Sequence, residues 1–148
     1  MDIFAPTKKD ICLYSRVPKD LAGNLLFRQN LLKEAAKSKD LQTEIYCACA
    51  RDILFSVNTM GWGYDPRKTK STILPFITYP YQDETLVDLM DSIERGVDDV
   101  TEKSRDMGMT WCTLYAIEHM ARFRAMQSFL LMSRKENIVD SSGGKEGA

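Results

Sequence analysis

Leu41, Ile45, Cys49, Ile53 and Val57 recur every fourth residue, the clearest periodicity in the chain. Side chains four apart share one face of an α-helix and alternate poorly on a strand. The spacing predicts one helix over 41–59. A second helix is predicted upstream over 19–37, where Leu21, Leu25, Leu31, Leu32 and Ala35 form a looser stripe among charges. The two read as an antiparallel helical pair, which by itself could serve as an interaction module. Gly61-Trp62-Gly63-Tyr64-Asp65-Pro66 ends the pattern, because two glycines and a proline in six residues favour a loop. Arg67, Lys68 and Lys70 extend that loop, and three basic residues read more simply as a solvated loop than as a DNA-facing one.

Beyond the loop the pattern changes. Ile73 to Tyr81 holds β-branched and aromatic residues together with Pro75 and Pro80, which favours an extended edge segment. Gln82 to Arg95 reads as a third helix carrying Leu86, Met90 and Ile93 on one face, with Gly96 as its stop. Asp98 to Lys103 is a short strand candidate. Thr110 to Phe123 is helical and apolar on nearly every side, as a buried helix would be. Phe129-Leu130-Leu131-Met132 has the length and apolarity of a buried parallel strand. Strand, loop, helix and strand together make one βαβ unit, whose crossover is expected to be right-handed. The last eight residues carry little to bury, so 141–148 are expected to form a flexible tail.

Composition narrows the function classes. Of 148 residues 44% are apolar, enough for a core, and 28% are charged. Twenty Lys and Arg against 21 Asp and Glu give a net charge of -1, which excludes a uniformly basic nucleic-acid-coating domain. A helical DNA-binding module would need Arg67, Lys68, Lys70, Arg122, Arg124, Arg134 and Lys135 to cluster. No apolar run is long enough to span a bilayer, and no basic-then-apolar leader opens the sequence. An intracellular protein is expected. Cys12, Cys47, Cys49 and Cys112 form no C-x-x-C pair, and His119 is the single histidine. These read as small buried hydrophobes and a structural imidazole rather than a metal site.

The turn of the βαβ unit, Lys103 to Thr110, is where phosphate binding concentrates in such units. Against the phosphate-loop pattern G-x-x-x-x-G-K-[ST], Gly108 matches the second glycine and Thr110 the hydroxyl position. Met109 replaces the lysine, and Lys103 stands where the first glycine should be, as if the lysine had moved to the front. A helix beginning at Thr110 would offer free N–H groups and the positive end of its dipole. A simpler reading makes Thr110 the helix cap.

The stretch Glu102-Lys103-Ser104-Arg105-Asp106-Met107-Gly108-Met109-Thr110-Trp111 resembles the deviant Walker A loop of phage terminase large subunits, with its lysine at the front of the loop. Three further segments agree in order. Asn58-Thr59 with Trp62 and Tyr64-Asp65-Pro66-Arg67 resembles an aromatic loop of that family. Leu74-Pro75-Phe76 through Tyr79-Pro80-Tyr81-Gln82 resembles its adenine segment. Phe129-Leu130-Leu131 with Ser133-Arg134-Lys135-Glu136 and Val139-Asp140 resembles the strand and turn after the Walker A helix. The match spans about residues 50–140.

The resemblance implies an ATPase that pumps double-stranded DNA into a viral procapsid in the host cytoplasm. Its partners would be DNA, the portal protein and the small terminase subunit, and subunits would form a homo-oligomeric ring. ATP and Mg²⁺ would be bound by Tyr81, Gln82, Lys103, Ser104, Arg105, Gly108, Met109, Thr110 and Trp111. Lys103 and Arg105 would act on the phosphates, Thr110 would hold Mg²⁺, and Gln82 with Tyr81 would recognise adenine. The implied fold is α/β, an incomplete P-loop (RecA-like) parallel sheet over 61–140 after a helical segment over 1–60. The family's apolar strand ending in Asp-Glu and its nuclease carboxylates are not found in these 148 residues, so an N-terminal fragment that binds ATP and hydrolyses it poorly is expected. The alternative is a non-catalytic helical interaction protein.

Overall fold

The computed structural model describes residues 14–64, 73–104 and 107–132. Local sequence signals set the element boundaries. Helix α1 (Leu21–Ala35) starts where the Asp20 carboxylate accepts from the Gly23 amide at 2.7 Å. Ser38 caps α2 (Lys39–Arg51) in the same way, through Leu41 N. Helix α3 (Ile53–Met60) begins at once, because the Asp52 carboxylate accepts from Leu54 N and Phe55 N at 2.8 and 3.1 Å. The single helix expected over 41–59 is therefore two. Asp52 stays in the extended region, and its side chain captures amides that a continuous helix would have paired with carbonyls.

Two short strands follow, β1 (Trp62–Tyr64) and β2 (Ile73–Pro75), paired antiparallel with Gly63 opposite Leu74. Helix α4 (Pro80–Arg95) takes Pro80 in its first turn and stops at Gly96, whose φ of +65° closes a left-handed cap. Helix α5 (Met109–Phe123) starts from Gly108, φ +73°.

The core lies between helices. Ile53 and Val57 of α3, Leu86 and Met90 of α4, and Cys112, Ala116 and Met120 of α5 form one cluster. A second cluster gathers Val17, Cys49, Phe55 and Phe123. Helix α3 touches both, and Ile53, Phe55, Ser56, Val57, Asn58 and Thr59 are all buried.

This corrects the expected fold class. Among the described residues the only sheet is the antiparallel β1–β2 pair, and there is no parallel, RecA-like P-loop sheet. The expected strand at 98–103 forms no strand pairing, with Val100 92% exposed. The expected strand at 129–132 is also unpaired, with Leu130 and Met132 83% and 85% exposed. A parallel strand needs partner strands and covered faces. Helix α5, the intended crossover, instead uses its buried side against α3 and α4, and its Trp111 and Leu114 face out. Segment 141–148, Cys12 and the loop basics Arg67, Lys68 and Lys70 lie outside the described residues. Among those described, no helix is long and apolar enough to cross a membrane.

The burial of α1 also inverts expectation. Its buried side chains are Asn24, Arg28 and Ala35, while Leu21, Leu25 and Leu32 are exposed. The Arg28 guanidinium donates to Asn24 Oδ1 (2.6 Å), Gly61 O (2.7 Å) and Asn58 O (2.8 Å), and it lies over the Trp62 ring at 5.2 Å. Burial lowers its pKa to about 10, still far above neutrality. Those bonds fix α1 to the end of α3.

His119 is buried in α5, stacked near Phe123 and donating from Nε2 to the Cys49 carbonyl at 2.8 Å. Its Nδ1 has no hydrogen-bond partner. A proton added there finds no acceptor, and burial already lowers the imidazole pKa, with Arg124 and Arg122 opposing charge and Glu118 favouring it. Its folded pKa lies below the unfolded value of about 6.5, so its contribution is present above that pH and is lost as pH falls. The urea midpoint is expected to drop between pH 7 and pH 5, and His119→Gln should flatten that part of the profile. In the same assay at pH 7, Asn58→Ala is expected to cost about 3 kcal/mol, because it orphans the buried Thr78 amide that donates to Asn58 Oδ1. Gly96→Ala is expected to cost about 1 kcal/mol, from its left-handed backbone alone, since a Cβ there meets nothing.

Candidate nucleotide-binding site

Two segments far apart in sequence meet at the start of α5. The first is the opening turn of α4. Gln82 is buried there, and its Oε1 accepts from the Tyr79 amide at 3.0 Å, which closes the helix start. The second is the turn before α5. Gln82 Nε2 donates to the Met107 carbonyl at 2.9 Å, and the Tyr81 hydroxyl donates to the same carbonyl at 3.3 Å. Tyr81 stacks on Tyr79 with centroids 5.7 Å apart and planes 7° apart.

Gly108 is the N-cap of α5, and among the described residues no side-chain cap hydrogen bond closes this helix start. Thr110, expected as a possible cap, is instead an exposed residue inside that turn. Its cap residue thus offers no side-chain acceptor of the kind that Asp20, Ser38 and Asp52 give α1, α2 and α3. Met109 is half-buried in the same turn. Trp111 points toward β2's neighbour Phe76, with centroids 6.2 Å apart, and Phe76 also stacks on Tyr115 at 5.0 Å. Trp111 is thereby a packing residue.

Lys103 and Ser104 are exposed on the extended segment before the turn, and Ser104 Oγ donates to Met107 Sδ at 3.3 Å. Arg105 lies outside the described residues, so Lys103 is the described basic group on that approach. Of the expected site, the structure gathers Tyr81, Gln82, Gly108, Met109 and Thr110 around one helix start. Among the described residues, no group of three or more His, Cys, Asp or Glu could hold a metal ion. A Mg²⁺ ion at this helix start would be carried largely by phosphate oxygens and water, with Thr110 offering one hydroxyl.

Behind the site lies a partly buried polar network that sequence reading missed. Lys19 Nζ donates to Thr78 Oγ1 (2.8 Å), Thr78 O (3.0 Å) and Asn58 Oδ1 (3.2 Å), and pairs with Asp83 at 3.2 Å. Asp83 also accepts from the hydroxyls of Tyr14 and Thr78. Burial and the adjacent carboxylate hold the Tyr14 phenol well above its usual pKa. Burial draws the Lys19 ammonium down, and Asp83 opposes that shift. Lys19 and Asp83 are separated by 64 residues, so only the fold reveals the pair. The sole local signal was polarity at Asn58 and Thr78 inside otherwise apolar segments.

The remaining candidates fall away from this site. Burial pushes the thiols of Cys49 and Cys112 up to about 11, so neither is a ready nucleophile. Arg122 and Arg124 pair with Glu118 and Glu94, and the other members of the expected basic set are outside the described residues, so no described cluster supports a DNA-coating face.

Gly108 is the residue the site tolerates least. Its φ is positive, and a Cβ would stand 2.6 Å from Gln82 Nε2. Gly108→Ala is expected to displace the Gln82 carboxamide from Met107 and to lower stability by more than Gly96→Ala. Urea unfolding of both single variants beside Gln82→Ala/Gly108→Ala checks this, since the Gln82 truncation should remove the steric part and leave the backbone part. Comparison with protein-family models, with curated proteins and with solved structures gave no match.

Proposed function

We propose that this chain carries the ATP-binding segment of a DNA-packaging terminase large subunit. The observation that carries the reading is the meeting of the Tyr81-Gln82 segment with the Met107–Gly108 turn, across 25 residues, at an uncapped helix start. Those are the two segments which the resemblance assigns to base and phosphate. Phosphate binding at a helix start does not itself need a parallel sheet. It needs a turn that exposes helical amides, a hydroxyl for the cation and a cation for the phosphates, and Gly108, Thr110 and Lys103 supply these locally. In the assembled motor the nucleotide would power movement of double-stranded DNA through the portal, in a ring that also engages the small subunit. The described carboxylates offer no evident pair to orient an attacking water, so binding without efficient hydrolysis is the expected behaviour of this chain.

A second reading, a non-catalytic interaction protein, has its own observation. The exposed Leu32 of α1 borders a groove of about 560 Å³ walled by Tyr46, Met60, Trp62, Tyr115 and Phe123. Apolar surface of this kind is a common feature of docking faces.

Equilibrium binding of a fluorescent ATP analogue with Mg²⁺, displaced by unlabelled ATP, separates the two. Saturable binding is expected for the wild type, with affinity lowered about tenfold or more in Lys103→Ala, the effect of losing one charge-assisted phosphate contact. A folded wild type that shows no displaceable binding overturns the nucleotide reading and leaves the interaction reading.

A further inference from the structure

Resting on that nucleotide reading, the carboxamide of Gln82 is the part of the site whose role the geometry redefines. An adenine is read through hydrogen bonds to its edge, which require a donor and an acceptor accessible from the site. Gln82 is 4% exposed, and both ends of its amide are already engaged inside the protein. Oε1 accepts from Tyr79 N at 3.0 Å, and Nε2 donates to Met107 O at 2.9 Å. The second bond falls on the carbonyl directly before Gly108, and Nε2 sits where a Gly108 Cβ would come within 2.6 Å. The carboxamide is therefore packed into the bend from which α5 starts. Tyr79 stands in contrast. It is 62% exposed and its ring is stacked on Tyr81, whose hydroxyl reaches this turn.

We propose that Gln82 is a positioning residue, a clasp that holds the Met107–Gly108 turn so that the first amides of α5 remain presented to phosphate, and that it does not read the base. Base contact then falls to stacking on Tyr79. Stacking tolerates any base, because each has a π-face, so discrimination between ATP and GTP is weak. The clasp acts on the phosphate end, and its loss therefore weakens every triphosphate alike.

The test compares wild type, Gln82→Ala and the volume-conserving Gln82→Met, each with Mg²⁺ and each titrated with ATP, GTP and inorganic tripolyphosphate. Wild type is expected to bind ATP and GTP within about threefold of each other. Both variants are expected to lose affinity for all three ligands by a common factor, on the order of tenfold. Loss of ATP affinity with tripolyphosphate binding unchanged makes Gln82 a base reader and overturns the proposal. Amide hydrogen exchange over 107–112, measured without ligand, tests the clasp independently of any nucleotide. Faster exchange in both variants upholds it, and exchange equal to wild type overturns it. A wild type that binds none of the three ligands sinks the nucleotide reading, and the exchange result alone then decides the clasp.

Discussion

The buried side chain of Asn58 is the constraint on which the rest of the structure depends. It is fully buried in α3, the helix that both hydrophobic clusters share. Its Oδ1 accepts from Thr78 N and Lys19 Nζ, and its Nδ2 donates to Leu54 O and Thr78 Oγ1. Its main-chain carbonyl accepts from Asn24 and Arg28 of α1. One residue thus binds α1 and the segment that leads into α4. Polar groups in an apolar interior are costly unless every one is paired, so a satisfied network of this kind admits few alternative arrangements. Apolar contacts alone could let α1 slide along α3. The fork of Arg28 onto two carbonyls of the α3 end fixes its register.

The candidate site inherits its geometry from that network. Asn58 holds Thr78, and Thr78 and Lys19 together hold Asp83 in the first turn of α4. Tyr79, Gln82 and Asp83 belong to one helix start, so fixing Asp83 also fixes the direction in which Gln82 leaves the backbone. Gln82 then reaches Met107, and the Met107–Gly108 turn sets where α5 begins. Ala116 and Met120, about two and three turns further along, complete the packing on α3. A chain of contacts therefore runs from the α1–α3 junction to the first turn of α5.

Sequence reading recovered what is local. The fourfold spacing from Leu41 to Val57, the Gly96 stop and the apolar run from Thr110 to Phe123 all correspond to helices, because periodicity and caps are local signals. The break at Asp52 was hidden by that same periodicity, since the apolar stripe continues across it while the side chain caps. The leucines of α1 misled for a different reason. Hydrophobic spacing predicts which face is buried only where the partner surface is apolar, and the partner here is a row of carbonyls. Phe129–Met132 and Val100 show the limit of reading strands from composition. A strand is a property of a pair, and among the described residues neither segment has one. At the site, Gln82, Gly108 and Thr110 were legible as a pattern, but the two internal bonds of the Gln82 amide were not, because they join residues 25 apart.

The loss of the expected parallel sheet bears on turnover more than on binding. A phosphate group is held by amides, a hydroxyl and a cation within one turn and its approach, a set that a loop and a helix supply without further scaffold. Hydrolysis asks for more, since a carboxylate must be held at a fixed distance from the terminal phosphate to orient a water molecule. Asp98 and Asp99 are exposed on the segment leading to Lys103, outside any element that would fix them. Asp83 is committed to Lys19, Tyr14 and Thr78, and Glu94 and Glu118 are paired with arginines. These paired carboxylates are committed within the fold, and Asp98 and Asp99 lie outside any described helix or strand. On the proposed reading, nucleotide binding with little catalysis is expected, because hydrolysis needs a carboxylate positioned at the terminal phosphate.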